Sequence, residues 1–406
     1  MLTNRLFFND RGGSVAPLLG IVLIPLMAAV GAAVDYSRAT NVRTGLQAAL
    51  DSTSLMMSKE AQKLVGTDVE IGDQLDTKAK AVFYALFKKA EAQNITLTST
   101  YTPLEDNRFN FRMTGSTTVN TTVARVIGQT HIDINTSSEV VWGVKRLELA
   151  LALDNTGSMN NDGKMTALKA AAHNLLDTLK KAAKKPEDIK VAIIPFDTTV
   201  NIGTEFKDQF WVDYDVNDIK KSKWKGCVED RTQSNDVLDT APVAGNSTTY
   251  YPAASCGSLA KAMPLSNDWT ALNAKVDQMS PNGNTNVTIG LVWAWHALTG
   301  NTPFPEGTPA EPDLDKVIIL LTDGQNTQNR WTNSTHSIDN RTSAACSNIK
   351  AANIKLYTVR VIDGNASLLQ GCATKADMYY DVQQADQLNG AFKSIAQALA
   401  SLRLSK

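Results

Sequence analysis

Four short apolar segments, separated by stretches with helical patterning, constrain the second half of the chain more than any other feature. They cover residues 147–153, 191–196, 316–321 and 355–361. Each has the length of a strand, and the segment at 316–321 is almost wholly apolar, as strands buried on both faces are. Helices are predicted at 164–184, 268–279, 287–298 and 343–351, a short strand at 378–381, and a last helix that aligns Leu388, Phe392, Ile395, Leu399 and Leu402. This alternation predicts an α/β domain over residues 145–406, with a doubly wound, mostly parallel sheet covered by helices on both faces.

Residues 201–265 break this alternation. The stretch is too long for an ordinary connection between two elements, so we predict an insertion with its own structure. Its aromatic residues include Trp211, Tyr214, Trp224, Tyr250 and Tyr251. These side chains could form a binding face, but packing in a small core is the interpretation we favour.

The four cysteines all lie in the second half of the chain, at Cys227, Cys256, Cys346 and Cys372. No two have CxxC spacing and the four histidines are scattered, so the spacing of a zinc site is absent. Three disulfide connectivities are possible, and we favour the local pairs 227–256 and 346–372. Disulfide bonds would agree with a location outside the cytoplasm.

An uncharged stretch, VAPLLGIVLIPLMAAVGAAV, covers residues 15–34. As a helix it would span roughly 30 Å, the thickness of a bilayer core. We predict a retained membrane anchor, because the stretch exceeds the usual apolar core of a signal peptide. A cleaved signal peptide, with small residues at 31–33, and a buried core helix are the alternatives. Lysines and arginines on its two sides nearly balance, so charge does not set the orientation.

Two helices and a β-rich segment are predicted between this stretch and the α/β domain. A helix over 35–65 aligns Leu46, Ala49, Leu50, Ser54 and Met57 on one side. A second helix over 76–93 aligns Ala79, Val82, Phe83, Leu86 and Phe87. Residues 95–98 and 109–113 alternate with period two, as half-buried strands do. We therefore predict an N-terminal segment at 1–65, a small α+β stem at 66–142 without a catalytic constellation, and the α/β domain.

Three loops of the α/β domain carry oxygen-bearing side chains next to predicted elements. Asp154, Thr156 and Ser158 follow the strand at 147–153, Thr285 precedes the helix at 287–298, and Asp323 follows the strand at 316–321. Ligands bind outside the carboxyl ends of the strands in open α/β sheets. We therefore expect these five side chains to converge at one edge of the sheet.

Asp154-Asn155-Thr156-Gly157-Ser158, with Thr285 in Gly-Asn-Thr-Asn and Asp323 in Thr-Asp-Gly, resembles the metal-ion-dependent adhesion site of von Willebrand factor type A (VWA) domains. The usual first motif is Asp-x-Ser-x-Ser, and Thr156 replaces its first Ser while keeping a hydroxyl. The resemblance implies that Thr156, Ser158 and Thr285 bind Mg²⁺, or another divalent cation such as Mn²⁺ or Ca²⁺, through their hydroxyls. It implies that Asp154 and Asp323 bind directly or through waters.

The residue types suit such a site, because Mg²⁺ prefers six hard oxygen ligands. Neutral hydroxyls leave the cation under-neutralised, so it favours an anionic oxygen from outside, such as an Asp or Glu of a partner protein. A hydrolase with Asp154 and Asp323 as acid and base is the alternative. No histidine lies in either loop and Ser158 has no base beside it, so we expect a binding protein and not an enzyme.

The N-terminal segment resembles TadG-like proteins of the tight-adherence (Flp pilus assembly) system. The resemblance covers roughly residues 8–60 and depends on the order of RGGSVA at 11–16, the apolar stretch, VDYSR at 34–38 and LQAALD at 46–51. It implies a bacterial envelope protein whose bulk lies outside the cytoplasm.

Together these features predict a single-pass inner-membrane protein with a periplasmic, metal-dependent VWA domain. It would bind a protein partner, such as a pilus component, in assembling or anchoring a Flp/Tad-type pilus. The alternative is a surface-exposed adhesin for host or matrix proteins. A cytoplasmic metal-insertion module is a third class, which the apolar stretch and the cysteine spacing disfavour. The net charge of −1 gives no reason to expect nucleic-acid binding.

Overall fold

The computed structural model describes residues 15–64, 67–104 and 108–402, and divides into two compact units, Met1–Gly143 and Val144–Ser405. Most of the RGGSVA motif and residue Gly66, where the stem was predicted to begin, lie outside the described residues. The division of residues 1–142 into a segment and a stem stays a prediction.

Two helices and one antiparallel sheet form the described part of the first unit. Its elements are α1 (Val15–Ala61), α2 (Asp68–Leu86), β1 (Ala92–Pro103), β2 (Arg108–Asn120) and β3 (His131–Gly143). The strands pair in the order β1-β2-β3, so the predicted β-rich segment is confirmed. Both helices pack their apolar faces on this sheet, in a core that includes Phe83, Phe111 and Trp142.

Helix α1 has two different surfaces along its length. Its N-terminal part exposes large apolar side chains, with Ile21 71% and Ile24 73% exposed. From Gly31 onwards one face is buried, and Leu46 and Leu50 are fully buried against Gly115. By length and composition, α1 holds the one segment of the described residues that could cross a membrane.

Helix α2 begins eight residues before the predicted start and ends earlier than predicted. The structure shows why: Thr67 N donates to Glu70 Oε2 at 2.8 Å while Glu70 N donates to Thr67 Oγ1 at 3.3 Å, which forms a capping box. The sequence pattern did not mark this start, because the two apolar residues of the first turn, Val69 and Ile71, do not have helical spacing. Phe83 is buried as predicted, whereas Leu86 is 48% exposed.

The second unit alternates strands and helices around one large sheet. Its elements are β4 (Arg146–Asp154), α3 (Lys164–Ala182), β5 (Ile189–Phe196), β6 (Val200–Asn201), β7 (Val212–Asp213), β8 (Cys227–Val228), β9 (Tyr251–Ala254), β10 (Met263–Ser266), α4 (Trp269–Asp277), α5 (Val287–Thr299), β11 (Leu314–Thr322), α6 (Thr335–Ala351), β12 (Lys355–Val361), α7 (Ala366–Cys372), β13 (Tyr379–Val382) and α8 (Leu388–Leu402).

Five neighbouring strands of this sheet, in the order β13-β12-β11-β4-β5, are parallel. β10 pairs antiparallel with β5, and the short strands of the insertion extend the sheet from the end of β5. The chain passes from β4 to β5 on one side and later returns to β11 on the other side of β4. The strand order therefore reverses between β4 and β11, and the predicted doubly wound, mostly parallel sheet is confirmed.

The two faces of β4 belong to different cores. Leu149 and Leu151 face a core shared with α3, α4 and α8, and Ala150 and Ala152 face a core shared with α5, α6 and α7. The small alanines leave room for α5, whose residues from Val287 to Leu298 are all buried. Alternate residues of one strand thus hold helices on both faces of the sheet.

Two helices of the second unit differ from the sequence prediction. Helix α6 begins at Thr335, eight residues before the predicted start, because the Ser334 side chain caps the helix by accepting from Ser337 N. The short helix α7 was not predicted, since seven residues are too few for a clear helical period.

The insertion uses its aromatic residues in a core. Trp211 and Tyr251 are each 1% exposed, and the Tyr251 ring lies 4.9 Å from the ring of Trp293 on α5. This confirms the predicted packing role. Insertion strands of two residues carry too little periodicity to be found from sequence.

Both favoured disulfide bonds are present, Cys227–Cys256 and Cys346–Cys372. The second joins α6 to α7 beside β12. Each closes a loop of similar length, with sequence separations of 29 and 26 residues.

We expect the double substitution Cys346→Ala and Cys372→Ala to lower the free energy of unfolding by about 3.5 kcal/mol, because the open chain gains loop entropy in the unfolded state. Urea unfolding of the detergent-solubilised chain under non-reducing conditions measures this loss. Reductant should then destabilise the wild type more than the variant, which keeps only the bridge in the insertion. A loss below about 1 kcal/mol would contradict a stabilising role for this bridge.

Candidate metal site

The carboxyl ends of β4 and β11 lie side by side where the strand order reverses. β4 ends at Asp154, and β11 ends at Thr322, directly before Asp323. The two strands are in register up to the pair Leu153 and Leu321. Both predicted carboxylates therefore lie at the crevice where doubly wound sheets bind ligands.

The loop after β4 turns its hydroxyl groups towards Asp323. Asp154 Oδ1 accepts a hydrogen bond from Thr156 N at 2.8 Å, which folds the loop back over the strand end. Thr156 Oγ1 lies 3.1 Å from Ser158 Oγ, and Ser158 Oγ donates to Asp323 Oδ1 at 2.6 Å. Four of the five predicted residues thus form one hydrogen-bonded chain.

Thr285, the fifth predicted residue, approaches from the loop before α5. A methyl group added at Gly324 would lie 3.5 Å from both Ser158 Oγ and Thr285 Oγ1. The two hydroxyls therefore border the same small space, which is open because residue 324 has no side chain. The structure brings all five predicted side chains to one place.

Main-chain hydrogen bonds fix the loops relative to each other. Gly157 N donates to the carbonyl oxygen of Gly283 at 3.0 Å, and Asn282 N donates to that of Asn155 at 2.8 Å. These bonds join the loop after β4 to the loop that carries Thr285. Because backbone groups make them, they hold the site in place whatever the side chains bind.

Lys164, at the start of α3, has its side chain in the same site. Its ammonium donates to Asp323 Oδ2 at 2.9 Å and lies 3.4 Å from Asp363 Oδ2. The side chains of Lys164 and Asp323 are 2% and 0% exposed, whereas that of Asp363 is 70% exposed. Although burial alone would lower it, the hydrogen bond and charge of Asp323 raise the pKa of Lys164 above its usual value. One carboxylate of the site therefore already has a cationic partner.

The electrostatic environment of Asp154 differs from that of Asp323. Burial, and then the negative charge of Asp323, raise its pKa to about 6, against the effect of hydrogen bonds from Thr156 and Thr322. Within the described residues, Asp154 forms no ion pair with a lysine or arginine. A cation bound beside it would offset the cost of this buried charge.

The residues fit a hard divalent cation. The donor set consists of two carboxylates and three hydroxyls around an open space, and oxygen is the ligand atom that Mg²⁺, Mn²⁺ and Ca²⁺ take. The described residues hold no group of three or more His, Cys, Asp or Glu that could bind a metal. Any cation at this site would therefore depend on the hydroxyls as well as on the two acids.

Sequence analysis missed three residues that support the site. Thr322 Oγ1 donates to Asp154 Oδ2 at 2.6 Å, and Thr327 Oγ1 accepts from Thr285 N at 2.8 Å. Both threonines orient a predicted ligand. Lys164 was assigned only to a helix start. Hydroxyls close in sequence to Asp323 could have suggested the first two, but no sequence signal indicates that Lys164 is buried.

The fold defines the second unit as a doubly wound α/β domain, and a long helix with an apolar N-terminal part precedes it in the chain. Residues 13–58 match the family described as "Putative Flp pilus-assembly TadE/G-like". This match confirms the predicted resemblance of the N-terminal segment to TadG-like proteins, and most of the matched residues lie on α1. No curated protein matches the sequence.

Several solved structures are similar at low identity. The VWF domain of the type V pili tip protein Mfa5 from Porphyromonas gingivalis is 11% identical, with 65% of this chain and 98% of that chain covered and a TM-score of 0.43. The pilus adhesin SpaC from Lactobacillus rhamnosus GG is 13% identical, with 77% and 35% covered and a TM-score of 0.41. Proximal thread matrix protein 1 of the mussel byssus, described with a zinc-occupied MIDAS motif, is 14% identical, with 63% and 48% covered and a TM-score of 0.38.

The match to SpaC thus spans about a third of that protein's chain, 35%. The strand order and the helices on both faces of the sheet define the fold of the second unit.

Proposed function

We propose that this protein is a non-enzymatic, membrane-anchored binding protein that uses a divalent cation to hold a protein partner during assembly or anchoring of a Flp/Tad-type pilus. The observation that carries the proposal is the convergence of Asp154, Thr156, Ser158, Thr285 and Asp323 on one open space at the switch point of the sheet. The ligand atoms that these five side chains offer are all oxygens.

Thr156, Ser158 and Thr285 would hold the cation through hydroxyls, and Asp154 and Asp323 would hold it directly or through waters. The bound cation, Mg²⁺ or another such as Mn²⁺ or Ca²⁺, would supply an attraction for an anionic oxygen from outside. Gly157 and Gly283 at the rim are exposed and carry no side chain, so a partner's Asp or Glu can approach.

The arrangement favours binding over catalysis. Ser158 donates its hydrogen bond to a carboxylate that is also paired with Lys164, so no free base activates it as a nucleophile. His173 and His296 bond instead to residues outside the site, Asp277 and Asp239. Neither histidine is part of the hydrogen-bonded chain described above.

The anchor and the pilus role rest on the N-terminal segment. The exposed apolar part of α1 suits a single membrane span, and the TadE/G-like match at 13–58 suits an envelope protein of a pilus system. With the disulfide bonds of the second unit, these features favour placing that unit in the periplasm.

A pair of buried threonines provides the test in the bacterium that makes this protein. Thr285→Val removes a hydroxyl that borders the site. Thr288→Val removes a hydroxyl from the first turn of α5, where it bonds to Thr342 Oγ1 of α6. We expect cells with Thr285→Val to lose surface pili in electron micrographs and cells with Thr288→Val to keep them, at equal amounts of protein in the membrane.

Normal piliation with Thr285→Val would overturn the pilus role of the site. A second measurement treats intact cells with added protease. Removal of the domain at 145–406 from intact, piliated cells, with loss of binding to host or matrix proteins, would favour the alternative of a surface-exposed adhesin.

A further inference from the structure

The turn between β2 and β3 lies beside the point where the surface of α1 changes. Strand β2 runs towards the N-terminal end of α1, since Gly115 lies against Leu46 and Leu50, and Thr122 lies against Arg38. The turn that follows, residues 121–130, therefore reaches the level at which the exposed apolar part of α1 ends.

Three contacts fix the turn to α1 at this level. A methyl group added at Gly31 would lie 2.2 Å from Val123 Cγ1, so the two segments touch and only glycine fits. Asp35 Oδ2 accepts hydrogen bonds from Val123 N and Ala124 N, both at 2.9 Å. Arg38 Nη1 donates to Thr122 Oγ1 at 2.7 Å. The turn is thus held by packing, by a buried carboxylate and by a side-chain hydrogen bond.

The Asp35 carboxylate makes this contact in its ionised form. Hydrogen bonds from the main chain, first that of Ala124, lower the pKa of Asp35 to about 2, so it is ionised at neutral pH. An ionised acceptor at the start of a short helical turn is favourable, because the free N–H groups there point at it.

The turn held in this way presents an apolar side chain to its surroundings. Val126 is 85% exposed, the highest value among the large apolar side chains that the structure describes. Arg125, next to it, is also exposed, and Tyr36 on α1 is 72% exposed at the same level. An apolar tip next to an arginine and a tyrosine has the composition of a segment at a membrane interface.

We propose that the turn at 123–127 is a second membrane contact, which inserts Val126 into the lipid surface from which α1 emerges. The proposal rests on the membrane anchor of the proposed function. A bilayer is the occupant that the geometry favours, because a layer that covers the exposed apolar side chains of α1, which continue to Val34, also meets a turn packed against Gly31. Arg125 and Tyr36 would then lie among the lipid head groups.

This second contact would change what the anchor does. A single helix leaves the attached unit free to tilt about the membrane surface. A turn fixed to α1 by Gly31, Asp35 and Arg38 and also inserted in lipid would hold the antiparallel sheet in one orientation above the membrane.

The test uses the full chain in vesicles of equal parts phosphatidylcholine and phosphatidylglycerol. Because all four native cysteines are in disulfide bonds, Val126→Cys provides the one free thiol for an environment-sensitive fluorophore. We expect a blue shift of its emission in vesicles and a loss of intensity when brominated lipids are included.

Two labelled positions give the controls. Val69→Cys changes a valine that is 74% exposed at the start of α2, beyond the other end of the packed part of α1, and should show neither effect. Val22→Cys changes an exposed valine on the apolar part of α1 and reports whether the anchor is in the bilayer.

The outcomes separate the two claims. Quenching at Val22→Cys and Val126→Cys but not at Val69→Cys supports the proposal. Quenching at Val22→Cys alone overturns the second contact and leaves the anchor in place. Quenching at neither Val22→Cys nor Val126→Cys overturns the anchor as well.

Discussion

Replacing Asp154 with alanine is expected to abolish binding of divalent cations while the domain stays folded. The substitution removes one of only two carboxylates in the donor set, and we expect metal affinity to fall by about 100-fold or more, since even residues that only orient a ligand cost 10–100-fold. Isothermal titration of the full chain in detergent with Mg²⁺ and Mn²⁺ measures this loss.

The fold should survive because Asp154 lies at the end of a strand whose remaining residues are packed on both faces. The Oδ atoms accept from Thr156 N and Thr322 Oγ1, so their loss leaves two donors without that acceptor, at a cost of about 1–3 kcal/mol. Asp154→Asn keeps the size of the side chain and an acceptor, and should lose metal binding with a smaller loss of stability.

Asp188 offers a matched control. It is a buried carboxylate at the opposite edge of the sheet, where it accepts from Lys184 N and its own carbonyl oxygen accepts from Leu147 N. Asp188→Asn should leave metal affinity unchanged. Equal cation binding by wild type and Asp154→Ala would show that Asp154 does not hold the ion.

Replacing Lys164 with methionine is expected to have two opposite effects. Without divalent cations, the variant should lose roughly 3 kcal/mol of stability, because Asp323 is left as a buried charge without its cationic partner. With divalent cations, affinity should rise, because the ammonium no longer occupies Asp323 Oδ2 and no longer repels the incoming ion.

Thermal unfolding with EDTA and with saturating Mg²⁺ measures both effects. A cation at 100 times its dissociation constant stabilises the folded state by about 2.7 kcal/mol, which nearly offsets the loss. Lys169→Met is the control on the same helix, since its ammonium donates to the carbonyl oxygen of Asp277. If Lys164→Met bound Mg²⁺ more weakly than wild type, the ammonium would not be a competitor of the cation.

Lys164 already pairs with one of the two buried carboxylates of the site. The tethered ammonium neutralises one carboxylate, and the other is buried with hydrogen bonds but without a cation. A divalent cation that binds Asp323 through Oδ2 therefore has to displace this ion pair. The affinity for a divalent cation would consequently be lower than five oxygen ligands alone suggest. Cations that pair strongly with carboxylates would be favoured over those that pair weakly.

Much of the second unit followed from sequence because its main parallel strands are mostly apolar. The segment at 355–361 was predicted with the same bounds that the structure shows, since its apolar residues form a short run of the length of a buried parallel strand. The convergence of Asp154 and Asp323 followed from the same rule, because parallel strands end at one edge. The disulfide partners followed from their separation along the chain.

Other features depend on contacts that are distant in sequence. Helix α2 begins at a capping box formed by Thr67 and Glu70, in a stretch whose two apolar residues, Val69 and Ile71, do not have helical spacing. The burial of Lys164 depends on β11, whose loop brings Asp323 to the start of α3 from far along the chain. The contact of Gly31 with Val123 likewise requires knowing which strand lies against α1. The pattern of apolar and polar residues does not show which of these distant residues are in contact.

The central claim is that the five side chains at the switch point hold a divalent cation. Crystals of the full chain grown with Mn²⁺, which stands in for Mg²⁺, test it by anomalous diffraction. The account predicts one anomalous peak about 2.1 Å from hydroxyl oxygens of Thr156, Ser158 and Thr285, with Lys164 moved away from Asp323. No peak at this position, with Lys164 still bonded to Asp323, would contradict it.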